Sequence, residues 1–440
     1  MNRIVLIVFT LLVILVIGST QSYSIPAFAR KYETSCATCH NGFPKLNAFG
    51  EAFRRNGYQF PAGTDPEFVK EEPVSLGSEG NKKAFPDAIW PGSLPATSPV
   101  SLFLNGEMDY NPKTDPRFTF GGLGSSIEAV AAGTLGEDLS FWGHFILNAD
   151  GTSELNRIFL IFSNLIGESY ALNMRVGVFE PGLFSFSTHR SWMEDYWLTT
   201  RALSSDAGGM GWTIEEIQKG IELNGMVHGR FGWNAGIVEG FGQAHADKDY
   251  YGHLTYKFGG LPLDGVTEGG ATASPGATSP WVDNSVTIGA FAYVGKAVLG
   301  PDLTGATPDN KFSMVGGDVN GYYDRFNLFG GIGVRHDNQP FPDNSGLAAN
   351  TTVWFAELDV TVYPWLLPGI RYESWKGEIP DQNNAGQVMS YTDSQIVPGI
   401  VFLIRPNVKA ALRGSFTKLG SINDSKFQPG TVSVVLALGI

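Results

Sequence analysis

From about residue 100 to the end, the chain repeats one pattern in short segments: an apolar residue alternates with a polar residue or glycine. LSFWGHFILN (139–148), YALNMRVGVF (170–179), GIELNGMVHG (220–229), DYYGHLTYKF (249–258), TVWFAELDVTVY (352–363) and TVSVVLALGI (431–440) show it most clearly. Period-two alternation puts successive side chains on opposite faces, so these are strands with one apolar and one polar face. It predicts sixteen of them, over 101–110, 117–132, 138–148, 157–166, 170–179, 219–229, 231–240, 250–258, 285–296, 312–322, 325–335, 352–363, 368–376, 396–405, 407–418 and 430–440.

Alternating strands fit either a soluble sandwich or a closed barrel with its apolar face in lipid. Sixteen strands over some 340 residues exceed the usual sandwich, and the number is even, as bacterial outer-membrane barrels require. The expected fold is therefore all-β: an antiparallel outer-membrane β-barrel of about 16 strands, spanning 99–440, with the membrane lipid as its outer partner. Such barrels alternate short periplasmic turns with longer outer loops. Short turns are predicted near Gly136, Gly167, Arg230, Asp324, Pro364 to Pro368 and Pro406, and long outer loops at 180–218, 336–351 and 377–394. The connection 259–284 breaks the rule, being long where a periplasmic turn is due; it hides strands or is an insertion rich in Gly, Ala, Ser and Pro.

The polar face would line the lumen, with Glu222, Asn224, Met226, His228 and Arg230 along one strand, His253, Thr255 and Lys257 along another, and Glu357, Asp359 and Thr361 on a third. Aromatic residues near strand ends, such as Tyr250, Tyr256 and Phe258, suit interfacial girdles. Loop 180–218 carries Phe184, Phe186, His189, Trp192, Met193, Tyr196 and Trp197, too much aromatic surface to leave in water, and is expected to fold into the lumen.

Upstream of residue 100 the pattern changes. Arg3, an unbroken apolar run from Ile4 to Gly18 and the close Ser22-Tyr23-Ser24 read as an export signal over 1–24; the run is short for a membrane anchor, which wants about 20 residues. Residues 25–61 hold the chain's only two cysteines, in SCATCH. A Cys-x-x-Cys-His run suits covalent haem c: two thiols three apart reach two vinyl groups, and the adjacent imidazole turns back onto the iron. Cys36 and Cys39 would carry the haem and His40 would be its axial metal ligand. A disulfide between them would close too small a loop to stabilise much and would leave His40 unexplained; a zinc site would need two more ligands, and the histidines are scattered singly. Leu46, Phe49 and Phe53 fall on one face of a short helix, and residues 62–98, rich in Pro, Gly and charge, read as a linker.

Charge sharpens this division. The chain carries a net −13, whereas 25–61 is basic through Arg30, Lys31, Lys45, Arg54 and Arg55, which favours docking of that segment into an acidic lumen. The acidic balance argues against nucleic acid as a partner, and no phosphate loop, catalytic triad or paired-carboxylate motif stands out. Between His40 and Met108 there is no methionine or second histidine, so a distal haem ligand must come from the barrel or be a weak group, or the iron is open. Met226, His228 and His253 are candidates, with His144, His189 and Met193 behind them.

Pro26 to Arg30 (PAFAR), the Cys36-x-x-Cys39-His40 motif, Pro44-x-Leu46-Asn47-x-Phe49-Gly50-x-x-Phe53 and Gly57-Tyr58 together resemble the start of the fused monohaem cytochrome–porin family, outer-membrane proteins associated with iron(II) oxidation. The close match covers about 35 residues. It implies a haem segment plugging a barrel in the bacterial outer membrane. The implied activity is electron transfer from an extracellular donor, usually Fe(II), to a periplasmic c-type cytochrome or similar carrier. A porin or channel with a structural haem plug is the competing reading.

Overall fold

A computed structural model describes residues 27–70, 74–75, 79–87, 93–95, 98–120, 126–136, 138–148, 150–167, 170–187, 192, 217–240, 247–267, 279–299, 304–305, 307–342, 347–381, 387–420 and 425–439. The predicted export signal and Ile440 lie outside them. Among the described residues no helix is long and apolar enough to cross a membrane.

Sixteen strands of seven or more residues close into one antiparallel barrel. They are β1 (Val100–Tyr110), β2 (Ser126–Thr134), β3 (Leu139–Asn148), β4 (Ser153–Phe162), β5 (Asn173–Phe179), β6 (Gln218–Val227), β7 (Phe231–Val238) and β8 (Asp249–Gly259), then β9 (Ser285–Val298), β10 (Asp309–Tyr323), β11 (Phe326–Asp337), β12 (Ala349–Val360), β13 (Leu366–Pro380), β14 (Val388–Arg405), β15 (Val408–Leu419) and β16 (Gln428–Gly439). Each pairs with its neighbours in sequence, and β16 pairs back onto β1, from Val432 opposite Tyr110 to Gly439 opposite Phe103. Closure satisfies the backbone groups that an open edge would leave unpaired in lipid.

Along β8 the alternation is plain: Tyr250, Leu254, Tyr256 and Phe258 are exposed to the lipid side, while Tyr251, His253, Thr255 and Lys257 are buried inside. Val286, Ile288, Val315, Val319, Leu328 and Ile332 continue the outer apolar surface. The predicted short turns all appear, as at Asp324–Arg325 between β10 and β11 and Pro406–Asn407 between β14 and β15.

Three expectations change. The strand expected over 117–132 is β2, from Ser126, with only a two-residue ladder at Phe118–Thr119 before it, where Pro116 and a run of turns interrupt the pattern. β13 and β14 run beyond 368–376 and 396–405; their extra residues include Glu378 and Asp393, so apolar alternation underreports strand that has left the lipid band. His228 and Arg230 are not lumen residues. β6 ends at Val227, His228 turns the chain with φ +50° and is exposed, and Arg230 Nη2 donates to Gly260 O at 3.0 Å. Past a strand end, the face alternation no longer holds.

In the connection between β8 and β9, Gly259 and Ser285 pair directly, and its described residues, 260–267 and 279–284, form no strand; 268–278 lie outside the described residues. Residues 62–70 are not a bare linker: helix α3 (Asp65–Phe68) packs back on what precedes it, Phe68 stacking on Phe60 at 4.5 Å and Asp65 accepting from Tyr32 Oη at 2.7 Å.

A charge at the lipid midplane of such a barrel costs about 2–4 kcal/mol and near an interface about 0–1 kcal/mol. Leu254→Arg is expected to lower folding stability in lipid vesicles by the larger amount and Tyr250→Arg, at a strand end, by the smaller, in denaturant titrations. Equal costs would contradict the assignment of the outer band.

Candidate functional site

The motif residues sit in a tight clasp built by neighbours in sequence. Ser35 caps a single 3-10 turn, Cys36–Thr38, and His40 N donates to Cys36 O at 2.8 Å. Asn47 then does three things. Its side chain caps helix α2 (Ala48–Arg55) by accepting from Gly50 N at 2.8 Å, its Nδ2 donates to Ala37 O and Thr38 O, and its main-chain N donates to Cys39 O at 3.0 Å. Gly50 lets this helix lie against the motif, since a Cβ there would come within 2.1 Å of Cys39 O. Helix α1 (Ala27–Tyr32) closes the other side through Phe28 and Tyr32, which pack on Phe53 at 5.1 and 5.7 Å.

Both cysteines are free and half-buried, and burial pushes Cys39 up to about 12 and Cys36 upward as well. The thiols are therefore held protonated. His40 Nδ1 lies 3.2 Å from Pro44 O, which can only accept. In the neutral ring Nδ1 is then the donor and Nε2 carries the lone pair, the tautomer a metal-ligating imidazole needs.

Cys36, Cys39 and His40 all line one cavity of about 1000 Å³ inside the barrel. It is at the upper end of the ~300–1,000 Å³ range of ligand sites. Its walls mix aromatic rings (Phe28, Phe43, Phe53, Tyr58) with cations from α2, β4 and β5 (Arg54, Arg55, Arg157, Arg175). Two thiols and an imidazole on one turn, aromatic faces and guanidinium groups fit a covalent haem with its acid side chains. Among the described residues no group of three or more His, Cys, Asp or Glu side chains gathers to hold a bare metal ion.

The segment is seated in the barrel end where the short turns gather, the periplasmic end by loop length. Ala27 N donates to Ser101 Oγ at 2.8 Å, Arg30 Nη2 to Ser98 O and Val100 O at 2.7 Å each, and Phe43 stacks on Phe103 at 4.9 Å. Tyr58 stacks on Trp142 at 5.5 Å, and Lys45 forms a buried ion pair with Asp359. Charge docking is thus partial: Lys45 meets a barrel carboxylate, Lys31 and Arg54 pair with Asp65 and Glu51 of their own segment, and Arg30 and Arg55 reach main-chain carbonyls.

The 260–284 insertion supplies the floor. Leu261, fully buried, joins Tyr32, Phe49, Phe53, Tyr58 and Phe60 in one cluster, and Asn56 Nδ2 donates to Asp264 O at 2.9 Å. From the other end, the described part of loop 180–218 runs inside the barrel. Phe184 packs on Phe291, Phe186 on Phe329, and Ser185 N donates to Asp318 Oδ2 at 3.0 Å. Trp192 Nε1 donates to Asn41 O at 2.6 Å and to Gly42 O at 3.1 Å, so this loop touches the motif segment itself.

The distal candidates separate. His228 is out in its turn, and His189 and Met193 lie outside the described residues. His253 is 2 % exposed, with Nε2 2.9 Å from Asp318 and Nδ1 3.4 Å from Thr255 Oγ1, so both nitrogens are engaged. Met226 reaches the cavity wall, packed with Tyr170 and Leu263. His144 also lines the cavity, half-buried; its Nε2 is 3.0 Å from Glu128, whose other oxygen accepts from Asn105 Nδ2 at 2.7 Å. Sequence reasoning missed the insertion floor and, of the four arginines, Arg157 and Arg175; Arg54 and Arg55 were read only as docking charge. Arg157 and Arg175 had a readable signal, since both fall at polar-face positions of lipid-crossing strands.

No family model matches the chain, and no curated protein matches it in sequence. Solved structures match its fold. An anion-selective porin from Comamonas acidovorans is similar at 14% identity and a TM-score of 0.52, covering 78% of this chain and 100% of its own. Salmonella typhi OmpF, solved with daunomycin, is similar at 11% identity and 0.53, over 80% of this chain and 98% of its own. The outer membrane channel DcaP of Acinetobacter baumannii is similar at 10% and 0.51, over 78% and 96%. The chain therefore shares the fold of these outer-membrane porins and channels, a closed antiparallel barrel of sixteen strands, and its apolar outer face is the one such barrels turn to lipid.

If the insertion is the floor, Leu261→Ala removes a buried leucine at the docking surface, a loss of about 2–5 kcal/mol. Protease should then release the segment 27–69 faster while the barrel stays resistant; unchanged release would mean the segment is held elsewhere.

Proposed function

We propose that this protein passes electrons across the outer membrane through one haem c, attached at Cys36 and Cys39 and ligated by His40. The donor is extracellular, with Fe(II) the first choice, and the acceptor is a periplasmic c-type cytochrome or similar carrier. The observation that carries the proposal is the clasp of two thiols and one correctly tautomerised imidazole opening into a cavity of about 1000 Å³ inside a barrel. Resemblance of the first 35 or so mature residues to fused monohaem cytochrome–porins supports the same reading, and is the sole source of the Fe(II) choice.

A bound haem supplies one-electron chemistry, cycling between ferric and ferrous iron. The chain's own contributions are attachment, orientation and exclusion of water. Each thiol adds its S–H across a vinyl group, making one C–S and one C–H bond with nothing left over. Pro44 O orients His40, and the phenyl rings of Phe28, Phe43 and Phe53 shield the site. His144 would be the barrel residue offered to the iron, because Glu128 accepts a hydrogen bond from Nε2 and leaves Nδ1 with the lone pair.

The second reading is a diffusion channel with the N-terminal segment as a structural plug, and the fold likeness to porins supports it directly. Against free diffusion stands the inserted stretch 180–187, whose Phe184 and Phe186 pack with Phe291, Phe329 and Phe355 across the lumen.

The denatured protein is expected to keep haem peroxidase stain on a gel, and Cys36→Ala combined with Cys39→Ala to lose it. Fe(II) should reduce the parent and a ferric periplasmic cytochrome reoxidise it. Haem that washes out, or solute flux without reduction, would sink the proposal in favour of the channel. His144→Ala should convert a low-spin ferric spectrum to high-spin; an unchanged low-spin signal removes His144 from the axial position.

A further inference from the structure

Four guanidinium groups meet in the wall of the motif cavity: Arg54 and Arg55 from α2, Arg157 from β4 and Arg175 from β5. Three have carboxylate neighbours, of uneven quality. Arg54 pairs with Glu51 at 2.7 Å and Arg175 with Glu222 at 2.9 Å, but Arg157 is 3.9 Å from Glu180, too far for a hydrogen bond. Arg55 feels Glu51, Asp318 and Glu222 from a distance, but among the described residues its hydrogen bond is from Nη2 to the carbonyl oxygen of Ser185, at 3.2 Å. Among the described residues, Arg55 Nε, Arg157 Nη2 and Arg175 Nε are covered and have no hydrogen-bond acceptor. Burial, with Arg54 alongside, pushes Arg55 down to about 10.

Cations gathered in a covered wall, with donors left unmade, are unfavourable unless something supplies negative oxygens. Orphaned buried donors of this kind call for a missing ion or ligand group. Guanidinium is also the side chain best shaped to take a carboxylate in two bonds. A porphyrin tied by thioethers along one edge carries its two propionates on the opposite edge.

We infer that Arg55, Arg157 and Arg175 form a carboxylate-binding subsite in this cavity and that its occupants are the two propionates of the bound haem. The inference rests on the haem reading above, and deepens it by naming what holds the acid edge. Free carboxylates or other anions crossing the lumen share this chemistry and are the competing source.

The test uses the full-length protein in detergent or lipid, with Arg55→Gln and Arg157→Gln, singly and together. Arg175 stacks over Phe159 and Phe179 and is kept out of the main set because its loss disturbs packing as well as charge. Strand content by circular dichroism and haem stain of the denatured chain establish that each variant folds and loads. Removing a cation beside an ionised propionate favours the ferric form. Each variant is therefore expected to hold its electron about tenfold less tightly, a fall of about 59 mV in midpoint potential, and to shift the propionate bending bands in resonance Raman spectra. A parent that stains for covalent haem, with potentials and Raman bands unchanged in both variants, overturns the subsite while leaving the haem reading intact. A parent without covalent haem overturns both. Changed anion selectivity in bilayer recordings, with the potential unmoved, assigns the arginines to free anions and overturns the propionate assignment.

Discussion

The ladder between β16 and β1 is the constraint on which the rest depends. Lipid offers no partner to a backbone N–H or C=O, so the sheet must close, and it does so from Val432 against Tyr110 to Gly439 against Phe103. Closure creates a lumen sheltered from lipid and fixes the first strand at the seam. Because the motif segment precedes that strand in the chain, it is delivered to the mouth of the lumen, where Ala27, Arg30 and Phe43 engage Ser101, Ser98, Val100 and Phe103 of the same strand and its approach.

A segment of some forty residues is too small to bury a core of its own. Here its apolar side is completed by other parts of the chain: Trp142 and Ile161 from the wall and Leu261 from the insertion join Tyr32, Phe49, Phe53, Tyr58 and Phe60. The polar side is completed by Asp359, Thr361 and the carbonyl of Asp264. The segment and the barrel thus share one interior, and the cavity beside Cys36, Cys39 and His40 is what remains between them.

Access to that cavity is unequal from the two ends. On the side of the long loops, residues 180–187 and Trp192 fill the space, with Trp192 hydrogen-bonded to the motif segment and Arg55 bonded to Ser185. On the electron-transfer reading proposed above, a redox centre must be shielded from water, and the packing of Phe184 and Phe186 with Phe291, Phe329 and Phe355 is what would shield it. The porin-like wall and the filled interior are compatible, because one face of each strand answers to lipid and the other to whatever the lumen holds.

The sequence by itself determined what is local. Period-two alternation identified strands, their faces and their parity, because side-chain direction in a strand depends only on position along it. The spacing of Cys36, Cys39 and His40 is what pointed to the covalent haem proposed here, because three groups on one turn need no distant partner to be recognised. What only the tertiary structure decided involves residues far apart in the chain. His253 is disqualified as a free imidazole by Asp318, 65 residues away, and Lys45 is matched by Asp359, 314 residues away. The awkward insertion at 260–284 becomes a floor only once Leu261 is seen against Phe53 and Tyr58. His228 shows the limit from the other direction: alternation assigned it to the lumen, but the strand ends one residue earlier and a turn beginning at His228 sends it to the surface. Periodicity records which face a residue occupies; it carries no information about which residues meet across a closed barrel.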